Sequence, residues 1–154
     1  MSASPRIPVI LMAEDDADDR LLAKDALAES KLAGELHFVE SGEELLDYLW
    51  HRGKHGDAAH APRPGLILLD LNMPKKDGRE VLREIKADPD LRRIPVVVLT
   101  TSGADTDIAT VYELGANSFI TKPVRFDAFC KVMKTLSEYW FGTVETAAPK
   151  QEHL

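Results

Sequence analysis

The stretch LILLDLNMPKKDG, Leu66 to Gly78, runs four apolar residues into an aspartate and then breaks at Pro74, Lys75, Lys76 and Asp77-Gly78. A short apolar run bounded by turn residues is the pattern of a strand buried on both faces. Its unusual feature is Asp70, a carboxylate carried to the end of a buried element. Taken alone, Asp70 reads as a strand cap or the first residue of a turn. The remainder of the chain supplies a chemical reason for it.

Similar apolar runs recur on both sides. Residues 7–13 (IPVILMA), 35–40 (ELHFVE), 96–100 (VVVLT) and 118–121 (SFIT) read as further strands. Amphipathic stretches alternate with them. Residues 17–32 present Leu21, Leu22, Ala26 and Leu27, and Ser41-Gly42-Glu43-Glu44 has the spacing of a capping box before Leu45, Leu46, Leu49 and Trp50. Residues 78–87 carry Val81, Leu82 and Ile85. A fourth helix is expected at 105–114, with Ile108, Val111, Tyr112 and Leu114, closed by Gly115. The last runs from Phe126 through Phe129, Met133 and Leu136 to Trp140. Strands alternating with helices predict an α/β fold, a parallel sheet covered on both faces. Between the second helix and Leu66, residues 51–64 read as a surface loop. Its histidines, with His153, lack a cysteine or acidic partner at ligand spacing, so no metal is expected there.

The 154 residues suffice for one core, and a formal net charge of -7 argues against a nucleic-acid footprint. The single cysteine, Cys130, falls on the apolar face of the last helix and reads as a small packing residue. No apolar run reaches the length of a membrane span or a signal peptide, so a cytoplasmic home is expected, without nucleic-acid or membrane partners. No linker separates a second domain. The expected division is an extension at 1–6, a domain at 7–141 and a tail at 142–154.

In open parallel sheets, ligands sit beyond the carboxyl ends of the strands. The first strand ends there in Glu14-Asp15-Asp16, the third in Asp70 with Asn72 two residues on, the fourth in Thr100-Thr101-Ser102 and the fifth in Lys122-Pro123. If the first and third strands are neighbours, Asp15 and Asp70 repel one another and call for a cation. Oxygen ligands with room for water suit Mg2+. Lys122 supplies a mobile charge and Thr100 a hydroxyl for phosphoryl oxygens. A carboxylate nucleophile, a metal, a hydroxyl and an ammonium together match phosphoryl transfer onto Asp70. For Asp16, Asp18 and Asp19 the competing reading is a helix start, since acids complement the dipole there.

The motifs AEDD, LILLDLNMPKKDG, IPVVVLTTS and FITKP resemble the receiver domain of two-component response regulators, over about residues 7–140. The resemblance implies a flavodoxin-like, doubly wound five-stranded parallel sheet in the order 2-1-3-4-5. It makes Asp70 the phosphoacceptor, Asp15 the acidic metal ligand, Glu14 the second acid acting through water, and Asn72 the residue whose backbone carbonyl completes the metal site. It makes Thr100 the switch hydroxyl, Lys122 the phosphoryl-contacting lysine and Phe119 the aromatic that reports phosphorylation. Thr101 stands where a smaller residue is common, narrowing access to the phosphoryl group. Asn72 and Ser102 flank the path of a hydrolytic water, and Asp16 and Pro123 lie beside the site.

The segment from Arg63 to Ser102, the long 51–64 loop and YWFGTVET resemble the stand-alone regulators that partner bacterial phytochrome histidine kinases. Those commonly self-associate through the fourth and fifth helices, often with the C-terminal extension, which implies a face of fourth helix, fifth strand and last helix here. The expected protein is therefore a phosphoacceptor that catalyses only its own phosphorylation and slow dephosphorylation, pairs with a phytochrome-type histidine kinase and forms a homodimer. A haloacid dehalogenase-type hydrolase wants a second acid where Asn72 stands. A flavin module wants a phosphate loop where Glu14-Asp15-Asp16 stand. A receiver-like module that is never phosphorylated usually lacks the acceptor aspartate or the lysine, and both are present.

Overall fold

The computed structural model describes residues 9–29, 34–71, 73, 76–100, 109, 112–116, 118–121 and 126–137. Five parallel strands, β1 (Val9–Ala13), β2 (Glu35–Val39), β3 (Leu66–Asp70), β4 (Val96–Thr100) and β5 (Ser118–Thr121), form one sheet in the order β2-β1-β3-β4-β5. The register aligns Leu11 with His37 on one side and Ile67 on the other, then Leu68 with Val97 and Val98 with Phe119. Helices α1 (Ala17–Glu29), α2 (Gly42–Leu49) and α3 (Gly78–Ala87) and a C-terminal helix (Phe126–Ser137) cover it. Of the expected fourth helix, residues 109, 112 and 113 are described and are helical. Gly115 closes it as anticipated, at a φ of 106°, with its N–H donating to the Tyr112 carbonyl at 3.0 Å.

The period-two alternation along the strands divides the core. Leu11, Ala13, Ile67, Leu69, Val96 and Val98 face α2 and α3, meeting Leu45, Leu46, Leu49, Val81, Leu82 and Ile85. Ile10, Met12, Leu66, Leu68, Val97 and Leu99 face the other way, against Ala23, Ala26 and Leu27 of α1 and Phe129 and Met133 of the C-terminal helix. Every residue of β3 is buried, as an apolar run between two helical layers requires. Three residues expected on the apolar faces of helices face solvent instead: Leu21 is 57% exposed, Tyr112 48% and Phe126 42%. Cys130 is half-buried against the second cluster; burial first, then the charges of Glu29 and Asp127, push its thiol up, as suits a packing residue.

Helix starts follow local chemistry. Ser41 caps α2 by accepting the Glu44 N–H at 3.0 Å, and Glu44 reaches back to the N–H of Glu40, one residue before the cap, at 2.8 Å. Asp77 caps α3 by accepting the Arg79 N–H at 2.7 Å. The glycine after it is a matter of space: a Cβ on Gly78 would stand 2.7 Å from the Leu71 Cα and 3.1 Å from the Asp70 carbonyl oxygen. That contact seats the start of α3 directly against the end of β3.

The 51–64 loop is more ordered than its composition suggests. It contains a 3-10 turn at Gly53–His55 and buries Ala61. The Tyr48 hydroxyl donates to the Pro62 carbonyl at 2.8 Å, and the His51 ring donates to the Ala61 carbonyl at 2.9 Å. His55 donates to Glu44 at 2.9 Å. These histidines are hydrogen-bonding struts. Lys76 is paired with Glu84 at 2.6 Å, which raises its pKa.

Candidate metal and phosphoryl site

The sheet order reverses between β1 and β3, and the loops leaving their carboxyl ends part there. The pairing of Ala13 with Leu69 places Glu14 level with Asp70 on the next position of each chain. Carboxylate oxygens of Glu14, Asp15 and Asp70 come within 4.8 Å of one another. Glu14 is 1% exposed and Asp70 4%, whereas Asp15 is open to solvent. Ionised pairs of like charge at that separation repel by about 3 kcal/mol at an effective dielectric near 20. Burial of two of the three adds a desolvation cost. Three oxygen donors, one facing water, fit a hard divalent cation that keeps part of its hydration shell. Among the described residues this is the one group of three or more metal-binding side chains so arranged, and no histidine belongs to it.

The loop that presents Asp15 is held along its backbone. The Glu14 N–H donates to the Val39 carbonyl at 2.9 Å, extending the β1–β2 pairing by one residue. The Asp16 N–H donates to Glu14 Oε2 at 3.2 Å. Asp16 caps α1, its Oδ1 accepting the N–H groups of Asp18 at 2.8 Å and Asp19 at 3.2 Å. Its role beside the site is therefore to start the helix that follows, and Asp18 and Asp19 stand in the first turn. From Asp15 an open cleft of about 630 Å³ leads past Ser41 and Glu44 to His55.

The other strand ends arrive where the sequence places them. Thr100 ends β4, one residue beyond Leu99, which is paired with Asp70. Thr100 is itself aligned with Thr121 of β5, the residue before Lys122, and Phe119 is aligned with Val98. The side chains of Thr100 and Phe119, and the whole of Asn72, Thr101, Ser102, Lys122 and Pro123, lie outside the described residues. One residue of this region escaped the sequence reading. Arg20 donates from Nη1 to the Glu14 carbonyl at 2.9 Å. Its signal was a cation in the first turn of a helix, where the dipole disfavours one.

Residues 10–134 match the family model described as response regulator receiver domain. The chain is 44% identical over 140 residues to response regulator Rcp1 of Synechocystis sp., covering 91% of this chain and 93% of that protein. The crystal structure of the phosphorylated cyanobacterial phytochrome response regulator RcpA superposes with a TM-score of 0.82 at 44% identity, covering 92% of this chain and 99% of that one. The Mn(2+)-bound form of Rcp1 superposes with a TM-score of 0.79 at 43% identity, covering 90% and 98%. No helix of the described residues is long and apolar enough to cross a membrane. The chain belongs to the response regulator receiver domain family, whose members are signalling proteins that bind a divalent metal.

Proposed function

We propose that Asp70 accepts a phosphoryl group from the phosphohistidine of a histidine kinase in a Mg2+-dependent step. The observation that carries this reading is the convergence of Glu14, Asp15 and Asp70 within 4.8 Å at the switch point of the sheet. An oxygen of the Asp70 carboxylate attacks phosphorus, the P–N bond breaks with its electron pair returning to the donor imidazole, and an acyl phosphate forms. Asp70 is suited to this by its place on a rigid, wholly buried strand, which limits the motion of the nucleophile.

Asp15, Asp70 and the Asn72 carbonyl would hold the metal, with Glu14 acting through water. When bound, Mg2+ supplies positive charge to the phosphoryl oxygens. Thr100 and Lys122 contact those oxygens, and Phe119 responds by repacking, since it has no hydroxyl to reposition. Thr101 restricts access, and a water passing Asn72 and Ser102 returns Asp70 to its free form slowly. The protein acts on itself and turns over no separate substrate.

A phytochrome-type kinase is the proposed donor, supported by the 44% identity to Rcp1 and to RcpA, itself a phytochrome response regulator. The message is read from the face formed by the fourth helix, β5 and the C-terminal helix, through a cytoplasmic homodimer that includes the C-terminal extension. Incubating the protein with a small phosphodonor and Mg2+ and measuring intact mass tests the phosphoacceptor step. Wild type should gain one phosphoryl group and Asp70→Asn none. No gain in wild type, or an equal gain in the variant, contradicts the proposal.

A further inference from the structure

Arg20 grips the loop that carries the acids. Its Nη1 donates to the Glu14 carbonyl oxygen at 2.9 Å, and its Nη2 lies 3.8 Å from a Glu40 carboxylate oxygen. The side chain is 21% exposed, so the guanidinium is held largely out of solvent. The carbonyl it holds belongs to the peptide that joins Glu14 to Asp15. Rotation of that peptide plane sets where the Asp15 side chain begins. On the other side, the Glu14 N–H is held by Val39 at 2.9 Å, and the Arg20 N–H returns to the Asp16 carbonyl at 3.0 Å. Through Glu40 the same guanidinium touches the β2–α2 turn, whose backbone is fastened by Glu44.

We infer that Arg20 is a positioning residue that orients the Glu14–Asp15 peptide and so forms the divalent-cation site before the cation arrives. The inference rests on the phosphoacceptor reading above. A guanidinium bonded to the backbone of the loop that carries Glu14 and Asp15 has two opposed effects. Its charge repels an incoming divalent cation, and its hydrogen bond holds the ligands in place. The contact is to a backbone carbonyl, so the second effect governs. Lysine keeps the charge but lacks the planar fork that spans the Glu14 carbonyl and Glu40.

The test is a Mn2+ and Mg2+ titration of the unphosphorylated full chain as wild type, Arg20→Lys and Arg20→Met, with circular dichroism to verify folding. Both variants should bind about tenfold more weakly, the size of effect typical for residues that orient metal ligands. In phosphorylation by a small phosphodonor, the half-saturating Mg2+ concentration should rise by a similar factor while the plateau rate is kept. Tighter or unchanged binding in Arg20→Met, or wild-type binding in Arg20→Lys, overturns the inference. If Arg20→Met does not fold, Arg20→Lys decides. If wild type binds no divalent cation, the phosphoacceptor reading falls and this inference with it; firm wild-type binding with unaltered variants removes the role of Arg20 alone.

Discussion

Asp15 is the exposed member of a trio whose other two carboxylates, Glu14 and Asp70, are buried. It can therefore be changed without opening the core. A ligand that binds only the folded state stabilises it by about 2.7 kcal/mol at a concentration one hundred times its Kd. Wild type should show a gain of that order when Mg2+ is added during urea unfolding. Asp15→Asn should lose most of it, yet be at least as stable as wild type without metal, because one repelling charge is gone. Equal Mg2+ stabilisation in both would remove Asp15 from the metal site. Gly78 is a second decisive residue. An added Cβ would meet backbone atoms of Leu71 and Asp70, which cannot step aside as a flexible side chain can. Gly78→Ala should cost about 3 kcal/mol by overpacking and slow phosphoryl uptake by displacing Asp70. Full stability in denaturant would show that α3 does not press on β3 as described.

At the scale of elements, α2 and the loop after it form one hydrogen-bonded unit around Glu44. Burial pushes the Glu44 carboxyl up, but the Glu40 N–H, the His55 ring and the Lys54 ammonium together outweigh it and hold the pKa below its ordinary value of 4.5. A carboxyl depressed in the folded state stabilises the fold above its unfolded pKa. That contribution disappears as pH falls through the lower, folded value. Wild type should therefore lose stability below about pH 4.5 more steeply than Glu44→Gln, measured by urea unfolding across the acid range. Parallel slopes would contradict the assignment. The sequence revealed the cap of α2 because Ser41 and Glu44 are local to it. It did not reveal the order of 51–64, because the struts at His51, His55 and Tyr48 reach to partners set by the chain's return. It also misplaced Leu21, Tyr112 and Phe126. An apolar residue at the edge of a helical stripe fits either side by periodicity, and only the position of the neighbouring helix decides.

At the scale of the whole molecule, the strands were legible almost to the residue, since β1, β3 and β4 are apolar runs and β2 and β5 are short stretches rich in apolar residues. The sheet order was not a matter of pattern: nothing in Ile10 or Leu66 states that β1 lies beside β3, and it rested on the family resemblance. The acid trio was legible once that neighbourhood was assumed. The Arg20 contact was hidden, because it joins a side chain to a backbone carbonyl. Tyr112, at 48% exposed, and Phe126, at 42%, are accessible on the two helices proposed to carry self-association. Light scattering should report a dimer for wild type and a smaller dimer fraction for Tyr112→Asp with Phe126→Asp. A wild-type monomer with and without a phosphoryl mimic would contradict the proposed homodimer.

Phosphoryl acceptance comes down to one bond, between phosphorus and an oxygen of Asp70. An acyl phosphate is reduced by borohydride, which converts the modified aspartate to homoserine, and peptide mass mapping then locates the residue. After phosphotransfer from a phytochrome-type kinase in Mg2+, homoserine is expected at position 70 alone. Homoserine at Asp15 or elsewhere, or none in a protein that has taken up phosphoryl groups, would contradict it.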